Sequence, residues 1–171
     1  APAPLMSAAA GPDGTLWLGG DGEVIRVRGE ALERWGPSAN VPRGLVRDVL
    51  PEPDGSVWIG TYGGGIGRLR GGRAERFTAR QGLPDNSVSR ILDDGRGRVW
   101  ISTNRGLAVV RRSELLAVAE GRARAVDAVV LGPERGVAEA NFGSPAGFAD
   151  EFGRLWFGTI SGLAPALVAV A

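Results

Sequence analysis

The fold is decided by residues 54–60, Asp-Gly-Ser-Val-Trp-Ile-Gly, because close copies of this stretch recur along the chain. The tryptophan at its centre, Trp58, has equivalents at Trp17, Trp100 and Trp156, which are spaced by 41, 42 and 56 residues. Each copy joins a glycine-containing turn to a short apolar segment. A repeat of about 42 residues with this glycine and aromatic punctuation is typical of the four-stranded blades of a β-propeller.

The residues around each tryptophan predict the other strands of a blade. Apolar residues stand twelve, nine and eight positions before both Trp58 and Trp100, which indicates an inner strand ahead of the tryptophan strand. A glycine-rich turn and a third strand follow, and residues 31–35 and 74–78 predict short fourth strands. We therefore expect an all-β propeller of about 3.75 blades, with boundaries near residues 1–38, 39–80, 81–132 and 133–171.

The third interval is 14 residues longer than the second, which points to an insertion in the third blade. Residues 113–120 are rich in Leu and Ala, begin with a suitable N-cap serine and end before Gly121, so we predict a short helix there. Residues 125–131 would then form the outer strand of that blade. Residues 163–170 are the predicted third strand of the last blade, for which no fourth strand is predicted.

The four repeated tryptophans are predicted to be structural. A single sheet cannot bury both of its faces, so adjacent blades must stack. A residue that returns in every blade is expected at those interfaces. We predict that Trp17, Trp58, Trp100 and Trp156 are equivalent core residues between blades rather than stacking platforms for a sugar.

The composition excludes most catalytic chemistry. The 171 residues include no Cys, no His and no Lys, which removes thiol nucleophiles, zinc sites of the Cys/His type, imidazole bases and Schiff bases. We predict no enzymatic activity, no metal and no cofactor, and residues 93–95 lack the further oxygen ligands of a calcium loop. A net charge of +1 and the lack of a long apolar run predict neither nucleic-acid binding nor membrane insertion.

A ligand site is expected at the mouth of the channel, where loops between strands and between blades meet. The hydrogen-bonding side chains of these loops suit a small molecule or a glycan. Tyr62, the only tyrosine, precedes three glycines and is the first candidate. Asn and Asp also occur in turns for their geometry alone, whereas turns do not require arginine. The candidate ligand-binding residues are Arg43, Tyr62, Asn86, Asn104, Arg105 and Asn141.

Three segments resemble the two-component regulator propeller repeat: Gly-Leu-Pro-Asp-Asn-Ser-Val at 82–88, Ile-Leu-Asp-Asp-Gly at 91–95 and Val-Trp-Ile-Ser-Thr-Asn-Arg-Gly-Leu at 99–107. The resemblance implies a periplasmic or otherwise extracytoplasmic sensor domain of hybrid histidine kinases and related signalling proteins. Residues around 136–162 are similar to the last blade of such a propeller. Arg96 and Phe152, however, stand where the family usually has an aspartate four residues before the tryptophan.

The resemblance also implies that the chain is the C-terminal part of a larger propeller, whose partners are the missing blades and a downstream signalling domain. The sequence shows no signal peptide. The favoured function is ligand sensing without catalysis. One alternative is a structural repeat module that assembles with another chain, including a second copy in a homodimer. A less favoured alternative is an enzyme like the streptogramin lyases, whose related propeller relies on histidine.

Overall fold

The computed structural model describes residues 4–132, 137, 146–159 and 162–165. These residues form four antiparallel sheets, each of them an up-and-down meander, and the predicted all-β propeller arrangement is confirmed. The first three sheets have four strands each. The fourth sheet has three strands within the described residues.

The strands follow the predicted repeat. The first blade contains β1 (Ser7–Ala10), β2 (Leu16–Gly19), β3 (Val24–Arg28) and β4 (Ala31–Trp35). The second contains β5 (Val46–Pro51), β6 (Val57–Thr61), β7 (Gly65–Arg70) and β8 (Arg73–Phe77). The third contains β9 (Val88–Asp93), β10 (Arg98–Thr103), β11 (Gly106–Arg111) and β12 (Val129–Leu131). The fourth contains β13 (Gly147–Ala149), β14 (Leu155–Thr159) and β15 (Gly162–Pro165).

The inserted helix, α1 (Arg112–Ala119), follows β11 and lies within one residue of its predicted bounds. Leu115 and Ala119 are four residues apart, so they share one helix face, and both are buried in the core between the second and third blades. The outer strand after the helix is shorter than predicted, and residues 166–170 of the predicted last strand lie outside the described part. Within the described residues, no helix has the length and hydropathy needed to cross a membrane.

The hydrophobic core lies between neighbouring blades, where stacking buries the sheet faces. Each interface contains one tryptophan and the two residues that flank the tryptophan of the next blade. The three sets are Trp17 with Val57 and Ile59, Trp58 with Val99 and Ile101, and Trp100 with Leu155 and Phe157. These three tryptophans are buried. Every described blade therefore uses the tryptophan strand of its neighbour as the other half of its core.

Trp156 departs from the predicted equivalence, because it is only partly buried. Its neighbours Leu155 and Phe157 face the third blade, and successive side chains of a strand point to opposite faces. Trp156 therefore lies on the face of the fourth blade that points away from the third blade. No described blade covers that face, so this tryptophan lacks the partner that buries the other three.

The inner strands of successive blades lie side by side, β1 against β5, β5 against β9 and β9 against β13. In the first two blades, the residue two positions after the tryptophan faces the inner strand of the next blade. At Gly60, a Cβ atom would lie 2.9 Å from Cγ1 of Val88, which is too close for any real side chain. Ser102 holds the equivalent position in the third blade, where it is fully buried. Glycine at this position allows the first three blades to approach closely.

An aspartate closes the turn before each tryptophan strand, and the first two blades place it four residues before the tryptophan. Asp54 accepts hydrogen bonds from the backbone N–H of Ser56 at 3.0 Å and from its hydroxyl at 2.6 Å. Its second oxygen pairs with Arg68 at 2.8 Å. The buried guanidinium of Arg68 lies over the ring of Trp58, 5.5 Å from the centroid. One ion pair therefore covers a face of the tryptophan ring.

The last two blades place the aspartate six residues before the tryptophan. Asp150 accepts the backbone N–H groups of Phe152 and Arg154, both at 2.9 Å. Its second oxygen accepts Nε of Arg154 at 2.7 Å and the indole N–H of Trp156 at 3.0 Å. Asp94 makes the corresponding bonds in the third blade. The departure from the family pattern at positions 96 and 152 is thus compensated by a carboxylate two residues earlier.

Candidate functional site

The topology sorts the loops of the blades into two ends, because antiparallel strands alternate in direction. The turns between the first and second strands and between the third and fourth strands lie at one end, the turn end. The hairpin between the second and third strands and the connection to the next blade lie at the other end, the crossover end. All predicted ligand-binding residues within the described part lie at the crossover end.

Arg43 and Tyr62 lie on two loops that touch at the crossover end of the second blade. The N–H of Tyr62 donates to the carbonyl of Leu45 at 2.9 Å. A Cβ atom at Gly44 would overlap the carbonyl oxygen of Tyr62, and one at Gly64 would overlap that of Arg43. Gly44 also has a φ of +98°, which only glycine adopts freely. The loops are fixed by backbone contact, while the Tyr62 side chain is 49% exposed and Arg43 is exposed.

A repeated threonine closes the hairpins at this end, and sequence reasoning did not assign it this role. The hydroxyl of Thr61 donates to the carbonyl of Gly65 at 2.9 Å, and that of Thr103 donates to the carbonyl of Gly106 at 2.8 Å. Both threonines stand three residues after the tryptophan of their blade. That shared offset is the signal that could have revealed the pair. The hydroxyls hold the loops that carry Tyr62 and Arg105.

Both oxygen atoms of Asn86 accept hydrogen bonds from backbone N–H groups of neighbouring residues. Its carbonyl accepts the N–H groups of Gly63 at 3.1 Å and of Gly65 at 2.8 Å, and its side-chain Oδ1 accepts the N–H of Ala79 at 2.8 Å. These bonds tie the hairpin of the second blade to the connection that leads into the third blade. Asn86 therefore positions the loops, and its amide oxygen is already used.

Arg105 extends the same surface onto the third blade. Its Nε lies 3.9 Å from Oδ2 of Asp85, and its side chain is 75% exposed. Asn104 precedes it in the hairpin and is partly buried. The structure thus brings five of the six predicted residues to one continuous edge, the loop rim, which consists of Arg43, Tyr62, Asn86, Asn104 and Arg105. Asn141, the sixth, lies outside the described residues.

An ion pair between two inner strands, with a buried carboxylate and a partly exposed guanidinium, was missed by the sequence reasoning. Oδ1 of Asp48 on β5 accepts Nη1 of Arg90 on β9 at 2.8 Å, and Oδ2 accepts the N–H of Ile91 at 2.6 Å. Burial raises the pKa of Asp48 to about 6, although the nearby Arg90 guanidinium acts to lower it. Both residues stand ten positions before the tryptophan of their blade, so opposite charges at one repeat position were the available signal.

Two grooves at the turn end are lined by side chains that pair with one another. One has a volume of about 370 Å³ and lies beside Trp35, where Arg26 pairs with Glu33. The other has a volume of about 380 Å³ and lies beside α1, where Arg112 pairs with Glu52. Because these charges are satisfied internally, we assign the grooves a structural role. Among the described residues, no group of three or more acidic, His or Cys side chains is gathered to hold a metal.

The loop rim overlaps a segment with a recognisable family pattern. Residues 82–105 match the family model described as Two component regulator propeller. We call this segment, which is similar to the two component regulator propeller repeat, the regulator propeller repeat. The regulator propeller repeat contains Asn86, Asn104 and Arg105, so half of the predicted ligand-binding residues lie within it. No curated protein matches the chain.

Solved structures share the fold of the regulator propeller repeat and its neighbouring blades. The chain is similar to the extracellular domain of a protein named as a hybrid two component system of B. thetaiotaomicron, with TM-score 0.74 and 21% identity over 94% of this chain and 21% of that one. A second extracellular domain from B. thetaiotaomicron, named as a one component system, gives TM-score 0.65 and 18% identity over 94% and 22%. The chain therefore spans about a fifth of the length of these two domains.

A third similar structure is an enzyme. Virginiamycin B lyase from Staphylococcus aureus gives TM-score 0.61 and 16% identity over 95% of this chain and 55% of the lyase. At this level of identity, the likeness shows a shared propeller fold and nothing further.

Proposed function

We propose that the chain is a non-catalytic recognition module of an extracytoplasmic sensor of the two-component type, and that the loop rim contacts its ligand. One observation carries the proposal: the side chains of Arg43 and Tyr62 are exposed on two loops whose backbones are in close contact, and the exposed Arg105 pairs with Asp85 at the same end of the blades. A surface of this kind offers fixed geometry with free hydrogen-bonding groups, which is what recognition of a small polar ligand requires.

The chemistry of the loop rim favours an oxygen-rich ligand such as a glycan or an organic anion. Guanidinium groups donate to hydroxyl, carboxylate or phosphate oxygens, and a phenol offers both an apolar face and a hydroxyl. The regulator propeller repeat at residues 82–105 and the extracellular domains of two component and one component systems among the similar structures support a sensory setting. The signalling output would reside in another domain of the complete protein.

The lyase alternative is disfavoured by composition. A variant of the Staphylococcus aureus lyase in which a histidine is replaced by alanine is described as catalytically inactive. The present chain contains no histidine, so it offers no equivalent side chain.

The proposal is tested by screening the chain against an array of neutral and acidic oligosaccharides and measuring the strongest binder by calorimetry. We expect Tyr62→Ala to weaken that binding by at least about tenfold, since one lost stacking or hydrogen-bond contact is worth about 1.4 kcal/mol or more. Phe152→Ala is the matched control, because Phe152 is an exposed aromatic residue at the turn end. Equal binding by wild type and Tyr62→Ala, or no binding to the array, would contradict the assignment of the loop rim.

A further inference from the structure

The hairpin of the first blade carries an exposed carboxylate at the position that Tyr62 holds in the second blade. Asp21 and Tyr62 each stand four residues after the tryptophan of their blade, and Asn104 has the same offset in the third blade. Asp21 was not among the residues predicted from the sequence. It is exposed, and within the described residues no hydrogen bond or ion pair holds its side chain. Its equivalence to two predicted ligand-binding residues makes it a candidate for the same surface.

Backbone contacts place Asp21 directly beside the connection that leads into the second blade. Asp21 and Leu45 form an isolated antiparallel bridge. On one side of the bridge, the N–H of Gly22 donates to the carbonyl of Gly44 at 3.0 Å, and a second backbone hydrogen bond of 2.8 Å lies on the other side. In this pattern the two bridged residues form a non-hydrogen-bonded pair, whose α carbons are about 4.5 Å apart and whose side chains lie close together.

Leu45 has Tyr62 on its other edge. The N–H of Tyr62 donates to the carbonyl of Leu45 at 2.9 Å, which continues the register of β5 and β6 beyond the pair of Val46 and Thr61. Residues that lie directly opposite one another on neighbouring strands project their side chains to the same face. Asp21, Leu45 and Tyr62 therefore form one row, which we call the cross-blade row. The α carbons at its two ends are roughly 10 Å apart.

The cross-blade row combines three kinds of contact. The ionised carboxylate of Asp21 only accepts hydrogen bonds. Leu45 is partly buried and provides an apolar floor, and the exposed phenol of Tyr62 offers an apolar ring face and a hydroxyl. A sugar ring matches this set, because one of its faces presents C–H groups and its hydroxyls donate hydrogen bonds along the edge.

We propose that the cross-blade row is a subsite for an uncharged sugar unit, in which Asp21 accepts hydrogen bonds from sugar hydroxyls while the ring packs on Leu45 and Tyr62. This inference rests on the proposed function and narrows its ligand from an oxygen-rich molecule of either kind to a neutral glycan. An acidic group beside Asp21 would meet a like charge, which disfavours uronic acids and organic anions at this subsite. The binding surface would thus extend from the loop rim onto the first blade.

The other charges of the crossover end agree with a neutral ligand. Arg105 already has Asp85 as a counter-ion at 3.9 Å. Arg43 precedes Gly44, whose carbonyl accepts the N–H of the residue next to Asp21, so the loop of the second exposed arginine touches a loop that carries a carboxylate. A surface that mixes both signs attracts neither ion strongly. It offers donors and acceptors together, which suits hydroxyl groups because they can donate and accept.

The test adds matched pairs to the oligosaccharide array, with each uronic-acid oligosaccharide present as the free acid and as its methyl ester. The wild type should bind the esters at least about tenfold more tightly than the free acids. Asp21→Asn should weaken binding to the strongest neutral member roughly tenfold, because hydrogen bonds to a charged acceptor are lost, and should reduce the difference between ester and acid. Glu30→Gln is the matched control, since it removes an exposed carboxylate at the turn end of the same blade and should change neither quantity.

The outcomes separate this inference from the proposed function. Free acids that bind as tightly as their esters would overturn the neutral subsite, as would an Asp21→Asn variant that binds the strongest neutral member like the wild type. If Tyr62→Ala still weakens binding in either case, the loop rim remains the binding surface and only the subsite at Asp21 fails. Absence of binding to every member of the array would overturn both. Circular dichroism of Asp21→Asn should match that of the wild type, because the substituted side chain is exposed.

Discussion

Replacing Asp48 with asparagine should change how the stability of the protein depends on pH. Asp48 is almost completely buried, and its pKa is raised from 3.8 to about 6 because burial disfavours its charged form. A carboxyl group with a raised pKa contributes its full stability below the unfolded value of 3.8, and that contribution is lost as the pH rises through about 6. The side-chain amide of the Asp48→Asn variant does not titrate, so the variant lacks this loss.

The size of the effect follows from the shift in pKa. A difference of about two units between the folded and unfolded states corresponds to roughly 3 kcal/mol. The free energy of unfolding of the wild type, relative to that of Asp48→Asn, should therefore fall by roughly 3 kcal/mol between pH 3 and pH 7. Urea unfolding at several pH values in this window measures the difference. The contributions of all other acidic residues to this difference cancel, because both proteins contain them.

Two outcomes would refute this reasoning. Parallel stability curves for the two proteins would mean that Arg90 and the N–H of Ile91 fully offset the burial of the carboxylate. A wild type that gains stability relative to the variant as the pH rises would mean that the ion pair outweighs burial. Either result would place the pKa of Asp48 at or below its ordinary value.

Three further predictions use denaturant unfolding of matched variants. Trp100→Ala should destabilise the chain by about 3–5 kcal/mol, whereas Trp156→Ala should cost clearly less because Trp156 is only partly buried, and equal losses would contradict this difference in burial. Gly44→Ala should cost more than the roughly 1 kcal/mol expected of Gly55→Ala, because both have positive φ but only Gly44 meets a carbonyl oxygen. Asp94→Asn should cost about 1–2 kcal/mol at pH 7. Burial opposes the ionisation of Asp94, but its hydrogen bonds outweigh burial and lower its pKa. Its contribution is therefore present above the ordinary pKa of 3.8 and lost on acidification, and an unchanged acid-unfolding curve for Asp94→Asn would count against this role.

Much of the fold could be predicted from the sequence because the repeat is local and regular. The predicted fourth strand at residues 31–35 has the bounds of β4, and the predicted helix at 113–120 differs from α1 by one residue at each end. Both predictions rest on short-range signals, namely the offset from a tryptophan and the capping residues of a helix. Such signals predict local structure well because they depend only on residues that are neighbours in the chain.

Burial was harder to predict, because it depends on what the next blade supplies. Trp156 carries the same local sequence signal as Trp100, yet it is only partly buried where no described blade covers it. The pair of Asp48 and Arg90 was missed for a related reason, since it joins residues 42 positions apart. Comparison of equal repeat positions would have found it, whereas a search for motifs in one continuous stretch could not.

The sequence predicted that the candidate residues lie in loops, but it did not predict which of them hold the loops in place. Tyr62 and Arg105 leave their side chains exposed, as a ligand-binding residue should. Asn86 instead uses its amide oxygen to hold the loop, which its sequence context, a turn after a proline, also allowed. Sequence alone cannot separate the two uses of an asparagine, because both require a polar side chain in a loop.

The backbone contacts at Gly44 and Gly64 have a consequence for protein engineering. They fix the paths of two neighbouring loops through glycines and carbonyl groups, and the outward side chains at positions 43 and 62 take no part in those contacts. A library randomised at these two positions would therefore vary the chemistry of the surface while the backbone contacts kept the geometry of the two loops. The crossover end can serve as a display scaffold, in which new binding specificities are selected without redesign of the chain that presents them.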